Sequence, residues 1–269
     1  MSAILVTRVA GVAMVQDAGR PGHMHEGVPP GGALVPELLA RANVAARNVP
    51  GAAAIESFGT LVLEAREDAF VAFDDGTARP LSAGTSLTIA CEGARVRYVA
   101  VRGGLDVPEL LGGRGTLLVA SLGGHEGRPL RRGDLLRAGD APRVDASMPS
   151  APDLASPIRV VPGPDRRRFP DEALDLLLSS SFVVDARSDR VGVRLTGGPA
   201  LPRLGSDSGP SSPMVRGAIQ VPPSGMAVVL GPDHPTTGGY PVLATVITKD
   251  FGSLAARSPG ARVRFVTQP

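Results

Sequence analysis

Asp233-His234 places an imidazole directly after a carboxylate. It is the best general acid/base candidate in the chain on residue type, because imidazole titrates near neutral pH. Behind it, Thr236, Thr237, Gly238, Gly239 and Tyr240 bring hydroxyls and unhindered backbone N–H groups into one short segment, a composition suited to an anion or oxyanion pocket. A merely solvated histidine in a polar loop is the competing reading. Gln220, followed by Val221-Pro222-Pro223, offers an amide with both donor and acceptor, which matches the edge of a lactam or ureido group.

Two earlier segments add charge. In Ser188-Asp189-Arg190 the guanidinium can hold a carboxylate in a two-pronged fork while Asp189 orients it or takes a proton; a structural turn would use the same residues. In Gln16-Asp17-Ala18-Gly19-Arg20, Gly19 frees the backbone to turn, so that Asp17 accepts and Arg20 donates on one side of the loop. The alternative there is an internal ion pair that pins the turn. The expected catalytic set is Asp233, His234 and Asp189, and the expected binding set joins Gln16, Asp17, Arg20, Ser188, Arg190 and Gln220 to the Thr236–Tyr240 segment. His23, His25 and Glu26, like His125-Glu126, lack a second set of strong ligands at a recognisable spacing, so no metal is expected.

The elements that must position these residues are short strands. The chain has 269 residues with 34 Gly and 26 Pro, and brief Val/Leu/Ile runs lie between those breakers, which predicts a mainly β protein. Strand candidates fall around 60–63, 69–73, 86–91 and 95–101, with Asp75-Gly76 as one turn, and Cys91, the only cysteine, is read as a small buried strand residue. Pro36–Arg47 carries one apolar helical stripe through Leu38, Leu39, Ala42, Ala45 and Ala46, and a second runs from about Pro170 to Ser180. The segment 141–157 is rich in Pro, Ala, Ser and Asp and reads as a linker between an N-terminal half, 1–140, and a C-terminal half, 158–269.

Composition also excludes partners. Trp is absent and aromatics make up 3%, so the stacking platforms of single-strand nucleic-acid binders are missing, and a net charge of +2 adds no strong basic field. No uncharged run reaches the roughly 20 residues of a membrane span, and no leader pattern opens the chain, so a cytoplasmic location is expected.

Three motifs in order, Val15-Gln16-Asp17-Ala18-Gly19-Arg20, Ser188-Asp189-Arg190-Val191-Gly192 and the stretch from Gly217-Ala218-Ile219-Gln220-Val221-Pro222-Pro223 to Thr236-Thr237-Gly238-Gly239-Tyr240-Pro241, carry a family resemblance. From Val6 to Phe265 the chain resembles allophanate hydrolase subunit 2, also called the biotin-dependent carboxyltransferase subdomains A and B, a family that includes the C subunit of the prokaryotic 5-oxoprolinase. The resemblance implies two cyclophilin-like β-barrel halves with one principal helix each. It implies an enzyme subunit that opens 5-oxoproline to glutamate with ATP, in a heteromer with a B-type partner resembling allophanate hydrolase subunit 1 and with an A-type partner. The alternatives it leaves open are a biotin-dependent carboxyltransferase subunit and a non-catalytic regulatory subunit that antagonises a kinase inhibitor.

ATP used by such a complex has no site recognisable in this chain, which lacks a Gly-x-x-x-x-Gly-Lys-Ser/Thr loop. Biotin is not expected on the chain either: its only lysine, Lys249, sits in Thr248-Lys249-Asp250 rather than in a carrier's Met-Lys-Met. The sequence departs from the family pattern at several points. A small-Met-Asp element appears as Ala33-Leu34-Val35 and a Ser-Glu-Gly element as Ser211-Ser212-Pro213, each without its acid. Gly225-Met226-Ala227 stands for a Gly-Gln-Pro, and the glutamine before the final Pro-Gly is Ala256 or nearby.

Overall fold

Fourteen residues near the N-terminus, Ala3–Gln16, form one long strand, β1, paired antiparallel with β2, Ala54–Ala65. Its two halves bury Ile4 and Val6, then Ala13, Met14 and Val15, while the middle is exposed. At that middle, Gly11 lies opposite Gly59: a Cβ on Gly59 would come within 2.2 Å of the Ala10 carbonyl oxygen, so only glycine permits the close approach. The pairing carries Gln16 and the loop after it to one end of the sheet.

The structure, a computed structural model, describes residues 2–205 and 209–268. They divide into two compact units, one comprising the chain up to Gly22 with Pro30–Pro152, the other His23–Pro29 with the chain from Asp153 onward. In the first unit, helix α1 (Pro36–Ala45) lies between β1 and β2 in sequence and packs on β3 (Ala69–Phe73) and β6 (Arg97–Val101). With β4 (Ala78–Leu81), β5 (Ser86–Ile89) and β7 (Leu135–Arg137) the sheet runs β4-β3-β6-β2-β1-β7, and β5 pairs with β2. Alternating inward residues such as Ile55, Leu61, Leu63, Val71 and Val99 form its core.

The second unit closes on itself. Strands β8 (Ile158–Pro162), β9 (Ser181–Val184), β10 (Gly192–Thr196), β12 (Ala218–Gln220), β13 (Val228–Leu230), β15 (Val242–Val246) and β16 (Arg262–Thr267) form a barrel in the order β10-β13-β12-β15-β8-β16-β9. A separate two-stranded ribbon pairs β11 (Ser212–Pro213) with β14 (Thr237–Gly238). Helix α2 (Glu172–Ser179) packs on β16 and buries Ala173, Leu174 and Leu177.

The mainly β class is observed, with three differences from the sequence reading. A further helix, α3 (Thr248–Ala255), buries Phe251, Leu254 and Ala255 against β8, so among the described residues the second unit has two α-helices rather than one; Lys249-Asp250 and Gly252 hid its stripe after a strand of strong β formers. Closure into a barrel occurs in the second unit, whereas the sheet of the first ends at β4 and β7. Strand β5 stops at Ile89, so Cys91 lies beyond it, half-buried, with its thiol 3.1 Å from the Ser57 carbonyl. Residues 141–157 form neither helix nor strand.

Candidate functional site

In the first unit, the loop after β1 is clasped from within. The Nε2 of Gln16 donates to the Thr116 carbonyl at 2.8 Å; its Oε1 is buried and has no hydrogen-bond partner among the described residues. Asp17 accepts the Gly19 N–H at 2.8 Å on one oxygen and the Arg114 N–H at 2.6 Å on the other. Arg20 is buried and donates to the carbonyls of Leu110 and Gly115, at 3.3 and 2.5 Å. All three side chains thus reach across to the 110–116 segment. Asp17 also lines a cleft of about 420 Å³ with Gly19, Gly51, Gly103, Asp106 and Arg114.

A buried pair that sequence reasoning passed over sits beside this loop. Glu56, on β2, accepts the Leu34 N–H at 2.7 Å and the Tyr98 hydroxyl at 2.5 Å, and that hydroxyl accepts the Val35 N–H at 3.0 Å. Ala33 in turn donates its N–H to the Asp17 carbonyl at 2.9 Å. The element Ala33-Leu34-Val35, which departs from the family pattern, is therefore held from two sides. Val35 is the N-cap of α1 and supplies no side-chain cap. The signal in the sequence was an acid, Glu56, directly after the apolar Ala54-Ile55 in a strand, which calls for a partner where that strand is buried.

In the second unit, the Arg190 fork grips Asp233, Nε to Oδ2 at 2.7 Å and Nη2 to Oδ1 at 2.8 Å, and both side chains are buried. Asp189 accepts the N–H groups of Val191 and Gly192 at 2.9 and 3.0 Å, and the Ser188 hydroxyl accepts the Arg194 N–H at 3.0 Å, so these two shape the turn between β9 and β10. His234 is fully buried, with Nδ1 2.7 Å from the Pro235 carbonyl. That geometry puts the proton on Nδ1 and leaves a lone pair on Nε2, which has no hydrogen-bond partner among the described residues. Burial lowers the imidazole pKa, with the nearby Arg216 adding to the effect and the Pro235 carbonyl and Asp233 opposing it. The neutral imidazole is a base with its accepting nitrogen sealed in.

Gln220 ends β12, where, among the described residues, Nε2 bonds the Met214 sulfur at 3.2 Å and the Tyr240 carbonyl at 3.4 Å, both weak. The ribbon sets Gly238 against it, since a Cβ there would lie 3.1 Å from the amide nitrogen. Carbonyls of Thr236 and Gly239 are occupied by the N–H groups of Met214 and Gly209, while Thr237 and Tyr240 are exposed. The structure therefore brings together Arg190, Asp233 and His234 as one cluster and Gln220, Gly238 and Tyr240 as another. Ser188 and Asp189 serve their turn, and Gln16, Asp17 and Arg20 belong to the first unit. Among the described residues no three His, Cys, Asp or Glu side chains stand close enough to hold a metal ion.

A chain of this architecture is of the carboxyltransferase type: the crystal structure of the Kluyveromyces lactis urea carboxylase matches 99% of it with a TM-score of 0.88 at 25% identity, using 27% of that longer chain. The family model described as carboxyltransferase domain, subdomain A and B, matches residues 26–267, and the chain belongs to that family. It is 34% identical to the 5-oxoprolinase C subunit of Escherichia coli, covering 97% of this chain and 90% of that protein. To the 5-oxoprolinase C subunit of Haemophilus influenzae it is 31% identical, over 94% and 87%. These relatives belong to enzymes, and the two C subunits to a multi-subunit one. Among the described residues no helix is long and apolar enough to cross a membrane.

Proposed function

We propose that the chain is the C subunit of a 5-oxoprolinase-type complex, which opens the lactam of 5-oxoproline to glutamate with ATP. The observation that carries this reading is the 34% identity to the Escherichia coli C subunit, sustained over nearly the whole of both chains. Partners of the A and B types, a cytoplasmic location and hydrolase activity of the assembled enzyme follow from the same reading. ATP is the complex's co-substrate, and no residue set in this chain is assigned to it.

Within this reading the second unit supplies the chemistry. His234 accepts a proton at Nε2, and the Arg190–Asp233 pair holds the loop that carries it. Gln220, with weak partners only, exchanges them for the amide edge of the lactam. Because Arg190 grips Asp233, its fork is not assigned to the substrate carboxylate.

Carboxyl transfer from biotin carried by another protein is the second reading. It is favoured by the 0.88 TM-score to the urea carboxylase. Lys249, in the first turn of α3, has no role in it. The test is reconstitution with A-type and B-type partners and measurement of 5-oxoproline-dependent ATP hydrolysis. Hydrolysis that needs this chain upholds the first reading. Turnover of urea with carboxybiotin and none of 5-oxoproline would replace it with the second.

A further inference from the structure

A cleft of about 630 Å³ opens in the second unit between the start of the Asp153 segment, the edge of β9 and the outward face of β16. Arg257, Arg262 and Arg264 line it, with Ser156 and Ser181 beside them and Leu154 on the apolar side. None of the three arginines forms an ion pair among the described residues. Arg262 and Arg264 are two apart on β16, so both project from the same, outward face, while Val263 and Phe265 fill the barrel.

Arg257 is the anchor. It is 5% exposed and donates to three backbone carbonyls, of Ser253 at 3.3 Å, Arg262 at 2.5 Å and Ser156 at 2.6 Å. Those carbonyls hold its fork in place but carry no full negative charge. Burial lowers its pKa, and the charge of Asp153 opposes this only in part. The carboxylate of Asp153 is itself turned to the N–H groups of Ala155 and Ser156, at 2.8 and 3.2 Å. One buried cation and two exposed ones thus line a concave surface without an ion-pair partner among the described residues.

We propose that this cleft binds a phosphorylated small molecule. Arginine forks match the oxygens of a phosphate group two at a time, and Ser181 lines the same cleft. The volume falls within the range of small-molecule sites, so the phosphate has room for an organic portion against Leu154. The site is separate from the His234 cluster in its residues, and its occupancy does not depend on the reaction proposed above.

The experiment titrates the isolated full chain with pyrophosphate by calorimetry, against citrate as a non-phosphate polyanion, in low salt. The variants are Arg262→Ala/Arg264→Ala, whose side chains are exposed, and Arg262→Lys/Arg264→Lys, which keeps the charge without the fork. Saturable pyrophosphate binding, weakened tenfold or more in the alanine variant with unchanged melting temperature and only partly restored in the lysine variant, is the expected result. No saturation by pyrophosphate, equal affinity for citrate, or unchanged affinity in the alanine variant would each overturn the proposal.

Discussion

Arg190 and Asp233, 43 residues apart in the chain, meet in a two-pronged ion pair at 2.7 and 2.8 Å from which water is nearly excluded. The pair joins the turn after β9 to the loop that carries His234, and the Asp233 N–H adds a bond to the Arg190 carbonyl at 3.1 Å. An arginine that looked like a substrate clamp is a clamp on the protein's own loop.

Arg190→Ala therefore leaves a buried carboxylate without its cation, and the expected cost is about 3–5 kcal/mol of stability. Chemical denaturation of the isolated chain measures it. An Arg190→Met/Asp233→Leu double variant should recover most of the loss. If Arg190→Ala melts like the parent chain but weakens substrate binding in the complex, the fork serves the substrate after all.

His234→Gln is expected to lower kcat of the reconstituted complex at least tenfold with little change in KM, since an acceptor for a proton is lost and the fold is kept. Equal turnover in both proteins would assign His234 a structural role.

The same histidine predicts a pH dependence of stability. Its folded pKa lies below the usual 6.5, so the unfolded chain binds more protons in the window between the two values. The contribution is fully present above about pH 6.5 and is lost as pH falls through the folded value. Between pH 7.5 and 5.5 the parent chain should lose more stability than His234→Gln, as read by urea midpoints at each pH. Parallel curves would contradict this.

Gly115→Ala tests the clasp of the first unit. Its Cβ would stand 2.5 Å from the Gln16 Oε1 and 2.8 Å from an Asp17 oxygen, so both side chains must shift. A loss of about 1–3 kcal/mol is expected, the usual cost of overpacking. A neutral effect would mean that the loop after β1 is loose.

Val35→Thr tests the meaning of the missing acid in Ala33-Leu34-Val35. Val35 has extended backbone as the N-cap of α1 and gives that helix no side-chain bond. A threonine hydroxyl of nearly the same shape can accept a free N–H of the first turn, for a gain of about 1 kcal/mol. Thermal melting reads the gain, and a loss would show that the buried site does not admit a cap.

The amino-acid sequence by itself determined the class of fold and where its pieces begin. Breakers between short β-branched runs predicted β3 to the residue, and apolar stripes predicted α1 and α2. These are local properties, set by the two-residue and 3.6-residue periods of the backbone. Helix α3 escaped because its stripe is short and interrupted by Gly252.

Only the tertiary structure decided what the charged motif residues do. Asp17, through one oxygen, and Arg20 both bond a segment more than 85 residues downstream, Arg20 reaching Leu110 across 90 positions. Glu56, inconspicuous in its strand, meets Tyr98 across 42. His234 became a neutral base with a sealed nitrogen because of what packs around it, not because of its neighbours in sequence. Side-chain type states what a group can bond; a buried polar group must find its partner wherever the fold brings one, and that distance along the chain leaves no local trace.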